Sequence, residues 1–115
     1  GNASMTTKTK PGKLDAIANT MRSNVMNGAA WAEQRLERGL VIVLQRRVEQ
    51  DGKHRWRLAL GRTDVAPSDD EIAICCRSFG VPAGTEHEVK RTERTSKKTG
   101  KLITWHIVEM YWYEA

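Results

Sequence analysis

The chain is poor in cysteine and proline and has no long apolar run, and each shortage excludes something. Its two cysteines, Cys75 and Cys76, are adjacent. Neighbouring cysteines rarely pair, because the bond strains the peptide between them. A disulfide framework is therefore excluded, and the thiols fit a reducing, cytoplasmic compartment with a buried apolar role. Leu40-Val-Ile-Val-Leu44 has the length of a strand, far short of the roughly 18 apolar residues of a membrane span. No charged-then-apolar leader pattern opens the chain. We therefore expect no membrane partner.

Other signatures are missing too. His54, His87 and His106 lie far apart, and none has a metal-type spacing to cysteine or to another histidine. Gly28, Gly39 and Gly52 are isolated turn residues, not a phosphate-cradling loop. No metal or other cofactor is expected, and no catalytic signature points to an enzyme.

Net charge is absent from most of the chain. The 115 residues carry 19 basic and 14 acidic side chains, a balance of +5. The segment from Lys90 to Lys101 alone accounts for it. Lys90, Arg91, Arg94, Lys97, Lys98 and Lys101 face a single acid, Glu93. A concentrated basic projection on a neutral body attracts phosphates or acidic protein surfaces.

With 39% hydrophobic and 29% charged residues, the composition is that of one ordinary globular domain. Residues 1–12 read as a tag remnant (Gly1 to Ser4, before Met5) followed by a flexible arm, and residues 13–115 as the domain. Leu14, Ile17, Ala18, Met21 and Val25 repeat at helical spacing from Lys13 onward. Asn27-Gly28 breaks that helix. A second short helix is predicted over Ala29 to Arg38, with Trp31, Ala32 and Leu36 apolar and Gly39 ending it.

Leu40 to Gln50 reads as a strand with an unalternating start, which implies cover on both faces there. Asp51-Gly52 predicts a tight hairpin turn with positive φ at both residues. In the return strand His54 to Arg62, Trp56, Leu58 and Leu60 alternate with Arg55, Arg57 and Ala59. Ser68 and Glu71 form a capping box at the start of a helix whose apolar face is Ile72, Cys75, Cys76 and Phe79. Gly80 and Pro82 stop it. Thr85 to Thr95 and Leu102 to Tyr113 are the last two strands. The expected fold is α+β: N-terminal helices, then ββαββ with a four-stranded antiparallel sheet.

The block Trp56-Arg-Leu58-Ala-Leu60-Gly-Arg62, Pro67-Ser68-Asp-Asp-Glu71-Ile72, Phe79-Gly-Val81-Pro82 is followed by a strand bearing Trp105 and Trp112. It resembles a group of small phage and mobile-element proteins. In them a Trp-containing strand ending in Arg leads through Pro-Ser/Thr-x-x-Glu into a short helix, and a Trp-bearing strand closes the pattern. The resemblance covers about residues 54 to 112. It implies a phage or cassette accessory protein in a bacterial cytoplasm, and brings no established activity with it. The long basic tip departs from the group's short ending.

The leading functional expectation is a non-enzymatic module that contacts nucleic-acid phosphates. Lys90, Arg91, Arg94, Lys97, Lys98 and Lys101 supply the contacts, with Arg55 and Arg57 in support. The first hairpin adds Arg46, Arg47 and Lys53 against Glu49 and Asp51, and the two hairpins make one basic surface if they face the same way. The basic tip lacks interleaved aromatics, which favours backbone contact over base stacking. The alternative is a dimeric accessory factor that binds a host protein. On the last strand, Ile103, Trp105, Ile107 and Tyr111 fall on one face, and Leu102, Val108, Met110 and Trp112 on the other. Either helices cover both faces or one face meets another subunit. Trp56 and Trp105 are expected in the core. A remoter alternative is a Mg²⁺-dependent nuclease, with Glu88-Val89-Lys90 as a Glu-x-Lys pattern and Asp64, Asp69 or Asp70 as the second acid.

Overall fold

The computed structural model describes residues 11–115. The apolar stripe of the first segment makes α1 (Pro11–Met26), with Leu14, Ala18, Met21 and Val25 all buried. Most of the expected arm lies outside the described residues. Its last two residues, Pro11 and Gly12, belong to the first turn of α1.

The second helix predicted over Ala29 to Arg38 does not form. In its place are β1 (Ala32–Arg35) and a short 3-10 turn (Glu37–Gly39). Arg38 and Gly39 both have positive φ, 61° and 73°, and Leu36 N–H donates to the Leu40 carbonyl at 2.7 Å. That geometry reverses the chain onto β2 (Val41–Val48), with Ala32 opposite Leu44 and Arg35 opposite Val41. The residues are good helix formers, but ten of them are too few to nucleate a helix without packing. Pairing with the edge of β2 satisfies the same backbone groups and turns Ala32 into the core. Tertiary context overrides propensity here.

β2 continues into β3 (His54–Arg62), α2 (Asp69–Phe79), β4 (His87–Thr95) and β5 (Leu102–Tyr113). The sheet therefore has five strands and not the four expected, in the order β1-β2-β3-β5-β4, all antiparallel. The turn between β2 and β3 also differs from expectation. It runs over five residues from Glu49 to Lys53, and only Gly52, at φ 84°, takes a positive φ. Asp51 does not, so the loop is longer than the two-residue turn that Asp-Gly suggests.

Alternation gives the sheet two unlike faces. Ile42, Leu44, Trp56, Leu58, Leu60, Val108 and Met110 share one face, and α1 and α2 pack against it. Ile42, Leu44, Leu58 and Leu60 are at most 1% exposed, and each such side chain contributes about 1.5–3 kcal/mol of burial. Trp112 stacks on Trp56 there, centroids 6.3 Å apart. The other face carries no helix among the described residues. The molecule measures 41 × 40 × 25 Å, and the short dimension is that of one sheet and one helical layer. The apolar run Leu40–Leu44 thus has helical cover on one side only.

α2 starts as its sequence directs. Ser68 Oγ accepts from Glu71 N–H at 3.1 Å, and Ser68 N–H donates to Glu71 Oε1 at 2.9 Å. Gly80, at φ 69°, closes the other end. Glu71 has a second task. Arg62, at the end of β3, grips its carboxylate with two guanidinium nitrogens, one of them at 2.9 Å. Arg62 Nε also donates to the Arg38 carbonyl at 3.0 Å. Arg62 is 3% exposed and Glu71 1%. The Glu71 hydrogen bond raises the pKa of Arg62. Burial pushes the Glu71 carboxyl up, but Arg62 and then Ser68 outweigh it and hold it below the ordinary value. Removing one partner strands a buried charge. Arg62→Ala or Glu71→Ala is expected to lower stability by about 3–5 kcal/mol, whereas the paired change Arg62→Met with Glu71→Leu loses much less. Urea unfolding of the three variants checks this, and equal losses in all three would contradict it.

Candidate nucleic-acid interface

The uncovered face can be mapped from the strand register. One cross-sheet row runs Arg47, Arg55, Tyr113. The next is Gln45, Arg57, Tyr111, with Trp31 one step beyond the Ala32–Leu44 pair at its far end. Then come Glu33, Val43, Ala59, Glu109 and Glu88, followed by Arg35, Val41, Gly61, Ile107 and Lys90. Beyond β3 only the β4–β5 arm continues, with Thr92 opposite Trp105 and Arg94 opposite Ile103. Six cations (Arg35, Arg47, Arg55, Arg57, Lys90, Arg94) stand on this face against four carboxylates (Glu33, Glu49, Glu88, Glu109).

The expected site residues are only partly brought together. Arg55, Arg57, Lys90 and Arg94 share the open face. Arg91 does not. It pairs with His106 on the opposite side, beyond the helices. Lys97, Lys98 and Lys101 are exposed in the turn of the arm, where Gly100, at φ 71°, donates to the Ser96 carbonyl at 2.8 Å. The two hairpin turns point to opposite ends of the sheet, because Tyr113 lies beside Arg55 while Leu102 lies four pairs past the end of β3. The hairpins share a face and not a tip.

Carboxylates fix some of these cations. Glu109 is 4% exposed on the open face. Arg57 Nε donates to it at 2.7 Å, and Lys90 Nζ lies 2.5 Å from its other oxygen. Arg57 also donates to Gln45 Oε1 at 2.9 Å. Burial pushes the Glu109 carboxyl up, but Lys90 and then Arg57 more than offset this and hold it low. Glu109 in turn holds the Lys90 ammonium above its ordinary value. Arg55 sits over the Tyr111 ring at 4.3 Å and near Tyr113 at 5.7 Å, with Glu49 at 3.8 Å. Arg35, Arg47, Arg94, Lys97, Lys98 and Lys101 form no ion pair among the described residues.

Sequence reasoning missed three participants. Trp31 was assigned to the apolar side of a helix, yet it stands 57% exposed on the open face. Trp105, expected in the core, is half-buried on the same face against Gly61, where a Cβ would lie 3.3 Å from its ring. Glu109 carried no signal beyond its place in the alternation of β5. That alternation did place Trp105, Ile107 and Tyr111 together.

Other candidates resolve differently. Glu88 meets Glu109 across adjacent strands, with Lys90 next to both. Asp69 and Asp70 are instead in the first turn of α2. Arg57 and Lys90 already occupy Glu109, and their charges oppose a cation there. No group of three or more His, Cys, Asp or Glu converges as a metal site among the described residues. The Cys75 thiol is pushed up to about 12 by burial, and burial raises Cys76 as well, so neither is a thiolate near neutral pH. Arg46 and His54 clamp Glu114 on the covered side and hold its carboxyl at about 2. No helix among the described residues is long and apolar enough to cross a membrane. In comparisons with known proteins, no family model, no curated protein and no solved structure matches the chain.

Glu71 and Glu109 both have folded-state values below the ordinary 4.5. Their contribution to stability is therefore complete above that pH and is lost as the pH falls through the depressed values. Glu109→Gln is expected to lower stability at pH 7 by about 1–3 kcal/mol and to flatten the acid limb of a Tm-versus-pH curve. An acid limb identical to wild type would show that Glu109 is not depressed.

Proposed function

We infer that this chain is a non-enzymatic nucleic-acid-binding module. The observation that carries the inference is the gathering of Arg35, Arg47, Arg55, Arg57, Lys90 and Arg94 on one uncovered sheet face. The lysine-bearing arm prolongs that face at one end. Charges without an ion pair among the described residues are available to phosphates, and each phosphate neutralised releases counterions. Arg55 and Arg57 are anchored by ring and carboxylate contacts, so they present cations in fixed places. Lys97, Lys98 and Lys101 ride on a two-stranded arm held mainly by its own pairing, which lets it follow a ligand. Arg91 drops out of the contact set because it faces the other way. The phage or cassette context belongs to this reading as well and rests on the strand–Arg, Pro-Ser-x-x-Glu pattern alone.

A second reading is favoured by one feature of the same face. Val41, Val43, Ala59, Trp105 and Ile107 form an apolar area between the cations, which suits a protein partner, whether a host protein or a second copy of this chain. The nuclease alternative has no such support: Asp69 and Asp70 belong to the first turn of α2, whereas Glu88 lies on β4 with Lys90 beside it.

Anisotropy titrations of labelled oligonucleotides across a salt series separate the two readings. Nucleic-acid binding predicts a log–log slope of about −3 to −5. Reversing Lys97 and Lys98 to Glu is expected to weaken binding and to reduce the slope by about one per lysine. No binding at low salt would overturn the inference in favour of the protein-partner reading.

A further inference from the structure

Trp31, Gln45, Arg57 and Tyr111 form one row across four strands of the open face. Together with Arg47 and Arg55 they line a pocket of about 450 Å³. Gln45 and Arg57 make its floor, joined to each other at 2.9 Å. Trp31 and Tyr111 stand at its two sides, about 14 Å apart at the backbone, three strand spacings. Tyr111 is 38% exposed and Tyr113, in the next row, 54%. Glu49, in the same lining, approaches Arg55 at 3.8 Å, which leaves the exposed rings and the Arg47 guanidinium, without an ion pair among the described residues, open to a ligand. A flat group with a negative charge attached satisfies both, because it stacks on a ring and pairs with an arginine.

We propose that this pocket binds an unpaired nucleotide, so that the ligand of the open face is single-stranded nucleic acid. Resting on the reading above, this names the form of the ligand. The base stacks against Tyr111 or Trp31, and the Arg55 guanidinium, already lying on Tyr111, extends the stacking surface. Gln45 accepts from Arg57 through its oxygen, which leaves its NH₂ group to donate to a base edge. Arg47, without an ion pair among the described residues, takes the adjoining phosphate.

Geometry argues against a duplex. Five strands span roughly 20 Å or more, whereas the major groove, ~12 Å wide, admits a helix or a two-stranded ribbon. Only the arm fits a groove. Its turn lies nine residues along β5 from Tyr111, about 30 Å away. A duplex seated on the arm leaves the aromatic row unused, and paired bases cannot reach the rings. A single strand laid along β5 reaches both.

The test titrates labelled oligo-dT, oligo-U and a duplex with wild type, Trp31→Ala, Tyr111→Ala, Tyr111→Phe and the Lys97→Glu/Lys98→Glu pair. All substituted side chains are exposed, so the folds are retained. Tyr111→Ala and Trp31→Ala should each weaken single-strand binding about 5- to 150-fold, with Tyr111→Phe close to wild type and duplex binding unmoved. The oligo-dT and oligo-U arms distinguish DNA from RNA as the source of the strand. Ultraviolet cross-linking of bound oligo-U should label Trp31 or Tyr111. If the lysine pair weakens binding while both aromatic variants match wild type, or if duplex binds as tightly as single strands, the pocket assignment is wrong and phosphate binding stands. If no oligonucleotide binds, both fail together.

Discussion

The buried grip of Arg62 on Glu71 organises this molecule. Arg62 ends β3, Glu71 starts α2, and the third Arg62 contact reaches the carbonyl of Arg38 in the turn between β1 and β2. The end of β3, the start of α2 and the β1–β2 turn are thereby tied at one point. Ion pairs of this kind add little net stability over apolar packing, but losing one partner is severe. Their value is positional. The grip fixes where α2 begins, and α2 then lies on the same face of the sheet as α1. The consequence is asymmetry: one face supplies the core under the helices, and the other carries the cations and rings without a helix among the described residues.

That asymmetry gives the charge pattern its meaning. The net charge of +5 is concentrated by sequence in the β4–β5 arm, but the spatial pattern is broader. Arg35, Arg47, Arg55 and Arg57 lie outside that arm, and they reach the same face through strand alternation and register. Glu109 is the counterweight. By holding Arg57 and Lys90 it keeps two cations in place side by side on that face and offsets their mutual repulsion. Those two charges are thereby engaged within the protein, whereas Arg47, Arg94 and the turn lysines form no ion pair among the described residues.

Much of this was legible in the sequence. Helical spacing located α1, the Ser68 and Glu71 pair located α2, and alternation located β3 and β5 with their faces. The pattern that links Arg62 to Glu71 was visible as a motif, although only the fold shows that its two charged residues meet. Residues 29–38 misled because Ala, Glu, Gln and Arg favour helices locally, while the free edge of β2 rewards a strand, and that reward depends on residues a dozen positions away. Trp31 was misplaced with them. Arg91 stands on the opposite face from Lys90 and Arg94 because a run of charge in sequence carries no face, whereas a strand sends neighbours to opposite sides. Glu109 was not legible, since its role depends on the cross-strand positions of Arg57 and Lys90.

The central claim is that the helix-free face is the binding face. Hydroxyl-radical footprinting with and without a single-stranded oligonucleotide tests it most directly, since aromatic side chains report cover on either side of the sheet. Protection of Trp31, Tyr111, Tyr113 and Trp105, with Trp112 unchanged on the helical side, is the predicted result. Protection confined to the turn lysines and Arg91, or to Trp112, would contradict it.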